Sequence, residues 1–168
     1  MTDHLPSLLP TDWLASRLGA PGIVTLDASF CLPQQNRNAH MEFAANHIPG
    51  AQFFDIDAVA DLESPLPHML PEPEVFTTAV GNMGINNETM VVVYDNNSFM
   101  ASARVWWTFR VFGHNKIAVL DGGLKAWEIE HNPTVSTRTQ SDKQQFVAKY
   151  NAHLVRNIDQ MKNLIATK

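Results

Sequence analysis

Four short runs of consecutive apolar, strand-prone residues punctuate the chain: Ile23-Val24-Thr25-Leu26, Ala51-Gln52-Phe53-Phe54, Met90-Val91-Val92-Val93-Tyr94 and Lys116-Ile117-Ala118-Val119-Leu120. Unbroken runs of this kind belong to strands covered on both faces, because a half-exposed strand would alternate apolar with polar. Between them, apolar residues recur at helical spacing. Thr11 reads as an N-cap, with Trp13, Leu14 and Leu18 on one face of the helix that follows. Ala39 to Ala45 forms a short helix before a turn at Pro49-Gly50. Pro73 opens a helix with a buried stripe of Val75, Phe76, Ala79, Val80 and Met83, and Gly84 closes it. Ala101 to Phe112 is a further helix stopped by Gly113, and Leu124 to Trp127 follows the Gly122-Gly123 turn. Strands alternating with helices predict an α/β domain with a mainly parallel central sheet and helices on both faces.

The character changes after Trp127. The stretch from Asn132 to Gln145 is polar, rich in Thr, Ser and Gln, and contains Pro133, so it reads as an exposed connector. A helical stripe returns at Ile158, Met161, Leu164 and Ile165 with no strand after it. The expected organisation is therefore a domain over 1–130, a connector over 131–150, and the first helix of a further, truncated domain over 151–168. A weak echo between Thr11–Leu18 and Asn157–Ile165 fits an internal duplication.

Composition narrows the function classes. With 45% apolar and 17% charged residues the chain is a folding one. A net charge of −5 without a basic cluster argues against nucleic acid as a partner, since phosphate binding needs Lys and Arg. No apolar run is long enough to span a bilayer. Met1-Thr2-Asp3-His4-Leu5-Pro6 carries neither a positive region nor a long apolar one, so no secretory signal is expected. The single cysteine, Cys31, cannot form an internal disulfide, which fits a cytoplasmic setting. Cys31 lies after the first of these strands and outside any strand-to-helix loop, where an ordinary small side chain is expected. The histidines, among them His40, His68, His114 and His153, show no metal-ligand spacing, and no metal or cofactor is expected. Ser98 and Ser102 lack a nucleophile elbow, and no dinucleotide-binding or phosphate-loop motif occurs.

Several segments, in order, resemble the tandem rhodanese sulfurtransferases that use thiosulfate or 3-mercaptopyruvate. They are Leu26-Asp27-Ala28-Ser29, His47-Ile48-Pro49-Gly50-Ala51, Phe53-Phe54-Asp55-Ile56-Asp57, Ser64-Pro65-Leu66-Pro67-His68-Met69-Leu70-Pro71, Val92-Val93-Tyr94-Asp95, Arg104-Val105-Trp106-Trp107 and Leu120-Asp121-Gly122-Gly123-Leu124. The His-Met-Leu-Pro and Arg-Val-Trp-Trp runs resemble the amino-terminal, non-catalytic half in particular. The resemblance implies a rhodanese-like fold. It also implies a parent enzyme that passes a sulfane sulfur through a cysteine persulfide to cyanide or a thiol. The persulfide would form in a second rhodanese domain of the same polypeptide.

In that family the working cysteine follows a central strand and opens a helix, where backbone N–H groups hold the persulfide anion. Here the residue after that strand is Asp95, a carboxylate that cannot accept sulfur and repels an anionic donor. The chain alone is thus expected to be inactive. By resemblance, Phe30 lines the interdomain substrate pocket, and Phe99 and Met100 add apolar wall; core packing is the alternative for all three. The resemblance also makes His47 an interdomain acid–base assistant, with Asn38 where its supporting acid should lie. The alternative for His47 is to anchor the turn before Pro49. Arg104 either faces an anion near the loop or pairs with Asp95. The competing functional reading is a stand-alone, inactive rhodanese-like protein-binding module. A related phosphatase would need a Cys…Arg anion loop that the sequence lacks.

Overall fold

The computed structural model describes residues 6–96 and 101–166. Five strands form one sheet: β1 (Leu8–Leu9), β2 (Ile23–Asp27), β3 (Gln52–Phe53), β4 (Met90–Tyr94) and β5 (Ile117–Leu120). Their order is β1-β5-β4-β2-β3, and every pairing is parallel. The helices are α1 (Thr11–Ala15), α2 (Ala39–Ala45), α3 (Pro73–Asn82), α4 (Ala101–Val111), α5 (Gly123–Ile129) and α6 (Ile158–Ala166).

β4 lies at the centre because it has the most to bury. Val91 and Val93 face one apolar cluster, with Phe76 and Val80 of α3 and Val105 and Phe109 of α4. Val92 and Tyr94 face the other, with Leu14 of α1 and Leu124 and Trp127 of α5. The period of two along a strand sends successive side chains to opposite faces. A strand covered twice therefore reads as an unbroken apolar run, and the predicted α/β architecture with helices on both faces is the one observed.

Local details differ from the sequence reading. Thr11 is the first residue of α1 and Pro10 the cap; the Thr11 hydroxyl donates instead to the Glu130 carboxylate, tying α1 to the end of α5. Val75 is 46% exposed rather than part of the buried stripe. β1 gave no signal, being a two-residue edge strand with one buried side chain. Gly84 ends α3 at φ +74°, a left-handed backbone that only glycine adopts freely.

The connector is docked along the first unit. Val135 and His47 exchange both backbone hydrogen bonds at 2.9 Å, and Trp127 Nε1 donates to the Pro133 carbonyl at 2.7 Å. Farther on, Gln144 N–H donates to Gly81, Lys149 N–H to Phe112 and Asn151 N–H to Val111, at 2.7–2.9 Å. Phe146 enters the core and is 2% exposed. The segment passes so close to the end of α4 that a Cβ on Gly113 would sit 2.9 Å from the Lys149 carbonyl oxygen. Its side chains are polar because most of them face water; its backbone is held. α6, by contrast, buries none of its residues, and Ile158, Met161, Leu164 and Ile165 all stand exposed.

Candidate functional site

In open parallel sheets, ligands bind beyond the carboxyl ends of the strands. There β4 gives way to Asp95, with α4 beginning at Ala101. Asp95 is 8% exposed, and its Oδ2 accepts from the Ser102 backbone N–H at 2.9 Å and from the Ser102 hydroxyl at 2.6 Å. The carboxylate thus caps the first turn of α4, where unpaired N–H groups and the helix dipole favour an anion. The place that would hold an external anion is filled by a side chain of the chain itself. Asn96 N–H donates to Ser29 Oγ at 3.0 Å, closing the start of the loop against β2. Phe99 and Met100, expected as pocket wall, lie outside the described residues.

Below this end of the sheet, Asp27 accepts from the Ser29 N–H at 2.8 Å and from the Tyr94 hydroxyl. Tyr94 Oη in turn accepts from the Ile48 N–H at 3.2 Å. Burial pushes the Asp27 carboxyl above its ordinary value of 3.8, more than these hydrogen bonds lower it, and burial drives the Tyr94 phenol far up. A raised carboxyl means the folded state holds more protons than the unfolded one over the window above 3.8, so stability is lost as pH rises through it. Asp27→Asn keeps an acceptor for Ser29 and removes the charge. The variant is expected to lack that loss and to match or exceed the wild type in urea unfolding at neutral pH. Superimposable pH–stability profiles would reject this assignment.

The structure buries the expected acid–base assistant. His47 is 0% exposed, with Nδ1 2.6 Å from the Phe43 carbonyl oxygen and Nε2 3.2 Å from that of Thr137. Its ring stacks on Phe43 at 4.1 Å. Both nitrogens face backbone carbonyls, so His47 anchors the turn and the connector and has no edge to offer a second domain. Asn38 does not orient it: Asn38 Oδ1 caps α2, accepting from the Met41 N–H at 3.0 Å. The Arg104–Asp95 pair is likewise not formed. Arg104 Nη2 donates to the His68 carbonyl, its guanidinium lies 4.7 Å from the centre of the Trp107 ring, and burial pulls its pKa down.

A further histidine, His68, packs against the expected pocket residue Phe30. Its Nδ1 lies 3.3 Å from Asp57 Oδ1, close enough for an ion pair but not aligned as a hydrogen bond. Its backbone is left-handed, φ +55°, an outlier of the kind that concentrates at functional sites. Phe30 meets its ring edge-on at 4.9 Å, so the expected pocket residue sits against His68 while also packing on the core. A cleft of about 180 Å³ opens beside them, lined among others by Phe30, Cys31, Arg37, His40 and Asp57. His40 Nε2 approaches Asp55 Oδ2 at 2.8 Å on the same rim. Cys31 is half-buried there, and its thiol is pushed up by burial and by the Glu42 charge, the opposite of an activated nucleophile. Both His68 and Asp57 stand inside motifs visible in the sequence. The left-handed turn, the Arg104 bond and the Asp61 N–H bond to the Met69 carbonyl at 3.0 Å hold the loop that brings them together, a pairing that spacing does not reveal.

Among the described residues no group of three or more His, Cys, Asp and Glu side chains is arranged to hold a metal ion, and no helix is long and apolar enough to cross a membrane. A model of the rhodanese-like domain matches residues 10–130. The chain is 39% identical over 183 residues to the mitochondrial thiosulfate/3-mercaptopyruvate sulfurtransferase 1 of Arabidopsis thaliana, covering 93% of this chain and 47% of that protein. It is 45% identical over 118 residues to the 3-mercaptopyruvate sulfurtransferase of Escherichia coli K12, covering 70% of this chain and 42% of that one. Among solved structures, SseA of Escherichia coli, a 3-mercaptopyruvate sulfotransferase, superimposes with a TM-score of 0.88 at 36% identity, covering 97% of this chain and 62% of that chain. The chain spans about half the length of the curated relatives it matches.

Proposed function

This chain belongs to the rhodanese-like domain family, and from that premise we propose that it is the half of a two-domain sulfurtransferase that shapes the substrate cleft without supplying the nucleophile. The observation that carries this reading is Asp95, whose carboxylate occupies the mouth of α4 through Ser102. A persulfide is an anion that needs those same N–H groups, and the side chain already there is neither a thiol nor displaceable without uncapping the helix. The reacting cysteine then belongs to a second rhodanese domain. Its thiolate attacks the sulfane sulfur of thiosulfate, releasing sulfite, or the sulfur of 3-mercaptopyruvate, releasing pyruvate once the leaving carbon gains a proton. The persulfide so formed passes its outer sulfur to cyanide or a thiol.

This half contributes a proton-handling group and a wall. His68, with Asp57 against Nδ1, supplies the proton that the leaving carbon of 3-mercaptopyruvate requires. Arg104 fixes the His68 turn and adds positive potential for anionic donors. The exposed apolar side chains Leu62, Leu66 and Met69 near His68, and the exposed stripe of α6, are surfaces for the second domain to cover.

The chain by itself is expected to show no thiocyanate formation from thiosulfate and cyanide and no sulfide release from 3-mercaptopyruvate and a thiol. Addition of a catalytic rhodanese domain from a two-domain relative should restore turnover. Activity in the isolated chain that survives Cys31→Ser would overturn the reading.

A further inference from the structure

His114 is a buried titratable group that the proposed chemistry does not use. It follows Gly113 at the end of α4, and its backbone N–H donates to the Phe109 carbonyl at 2.9 Å. The side chain is 2% exposed and lies between the rings of Phe109, at 5.5 Å, and Phe146, at 5.6 Å. Nε2 is buried with no hydrogen-bond partner. Phe146 is the connector residue most deeply buried in the core, with Ala148 packed beside it and Tyr150 against Phe112 at 6.1 Å; hydrogen bonds hold the segment around it. Val147 N–H and carbonyl pair with the Asn87 side chain at 2.9 Å, Ala148 N–H donates to Thr77 Oγ1 at 3.2 Å, and Lys149 N–H to the Phe112 carbonyl at 2.9 Å.

We propose that His114 is a pH-sensitive latch: its neutral ring seats Phe146 and holds the connector, and acidification releases the segment around residues 144–151. A neutral imidazole tolerates an unpaired Nε2 beneath aromatic cover. Protonation places charge on a ring packed beneath two aromatic side chains, with Nε2 unpartnered among the described residues, a costly kind of buried polar group. The groups facing the ring divide. Backbone groups of Lys116 and Thr89 and the Glu88 carboxylate favour the charged ring; burial and the Lys116 ammonium oppose it. Lys116 and Glu88 hold each other at 2.5 Å and act on His114 in opposite directions. Burial prevails and sets the ring below its ordinary value of 6.5. The closed form therefore binds fewer protons than the opened one, and opening is favoured as pH falls below 6.5. The latch is a property of this chain and stands whether or not a second domain is its partner.

Amide hydrogen exchange on the whole chain reads this directly. After correction for intrinsic rates, the opening constant for Gln144, Ala148, Lys149 and Asn151 should rise by as much as about 25-fold from about pH 7 to about pH 5, with β4 amides changing far less. His114→Phe fills the same space without a titrating nitrogen and should abolish the change. An unchanged connector at low pH, or the same pH dependence in His114→Phe, would overturn the latch. If that variant does not fold, the ring-nitrogen NMR titration of His114 in the wild type decides. A midpoint below 6.5 that drives the exchange transition supports the latch, and exchange that does not follow that titration rejects it.

Discussion

A Phe76→Ala chain is expected to lose about 3–5 kcal/mol of stability, the usual cost of emptying a buried aromatic site that cannot collapse. Phe76 is fully buried on α3 and is the hub of an aromatic cluster. It stacks on Phe112 at 4.4 Å and meets Phe109 at 5.0 Å and Phe146 at 5.7 Å edge-on. Three elements converge there: α3, α4 with the turn that ends it, and the connector. The vacancy is bounded by side chains already fixed against β4. Measured against a typical total of about 5–15 kcal/mol, the loss is a large share of what holds the domain. Urea unfolding should show a lower midpoint with an unchanged slope, and the melting temperature should fall by roughly 6–20 °C. Val75, its neighbour on the exposed side of the same helix, is the control, since Val75→Ala should stay within about 0.5 kcal/mol. A Phe76→Ala variant within about 1 kcal/mol of wild type would mean that the cluster does not carry the packing assigned to it.

Phe76 also shows how far the sequence could be read. Its spacing to Val80 marks a helix face, and β4, with Val91 to Tyr94 buried on both sides, announces a sheet covered by two layers. Those signals are local and periodic. Val75 fell outside the stripe because periodicity defines an arc only to within one residue, and the packing partner decides which edge is covered. The connector was opaque for a different reason. Its backbone, not its side chains, makes most of its contacts, and backbone hydrogen bonds leave no trace in composition. The return of the segment to the core through Phe146 went unread, since the polar residues before it pointed to an exposed connector.

The site divides in the same way. Asp95 was legible because the strand ends one residue before it, so its position at the mouth of α4 follows from chain order alone. His47 attracted attention because it sits in a motif, but motif membership says nothing about burial. The structure wraps it between the Phe43 and Thr137 carbonyls. His68 and Asp57 are separated by a loop held by a left-handed residue, an arginine bond and a backbone bond from Asp61 to Met69. Such a pairing is a tertiary fact, set by the fold and unavailable to spacing rules.

That distinction gives the second large expected effect. In a polypeptide joining this half to a catalytic rhodanese domain, His68→Asn should lower kcat/KM for 3-mercaptopyruvate by roughly 10²–10⁴-fold, the range for losing a general acid. This corresponds to about 3–5 kcal/mol of transition-state stabilisation. Asparagine is the informative replacement because it tolerates the left-handed backbone at this position, which keeps the loop while removing the proton-carrying ring. Asp57→Asn should produce a smaller fall, since it loosens the orientation of Nδ1 but leaves the ring in place. The sulfane sulfur of thiosulfate leaves behind sulfite, which needs no proton on carbon, so the same variants should affect that donor much less. His47→Asn should behave in the opposite way, lowering the melting temperature through the lost anchors to Phe43 and Thr137 while leaving kcat/KM near wild type. Equal losses on both donors would assign His68 to positioning of the cleft rather than to proton transfer. A His68→Asn enzyme at full rate, beside a crippled but folded His47→Asn enzyme, would return the acid–base role to the residue the motif first pointed at.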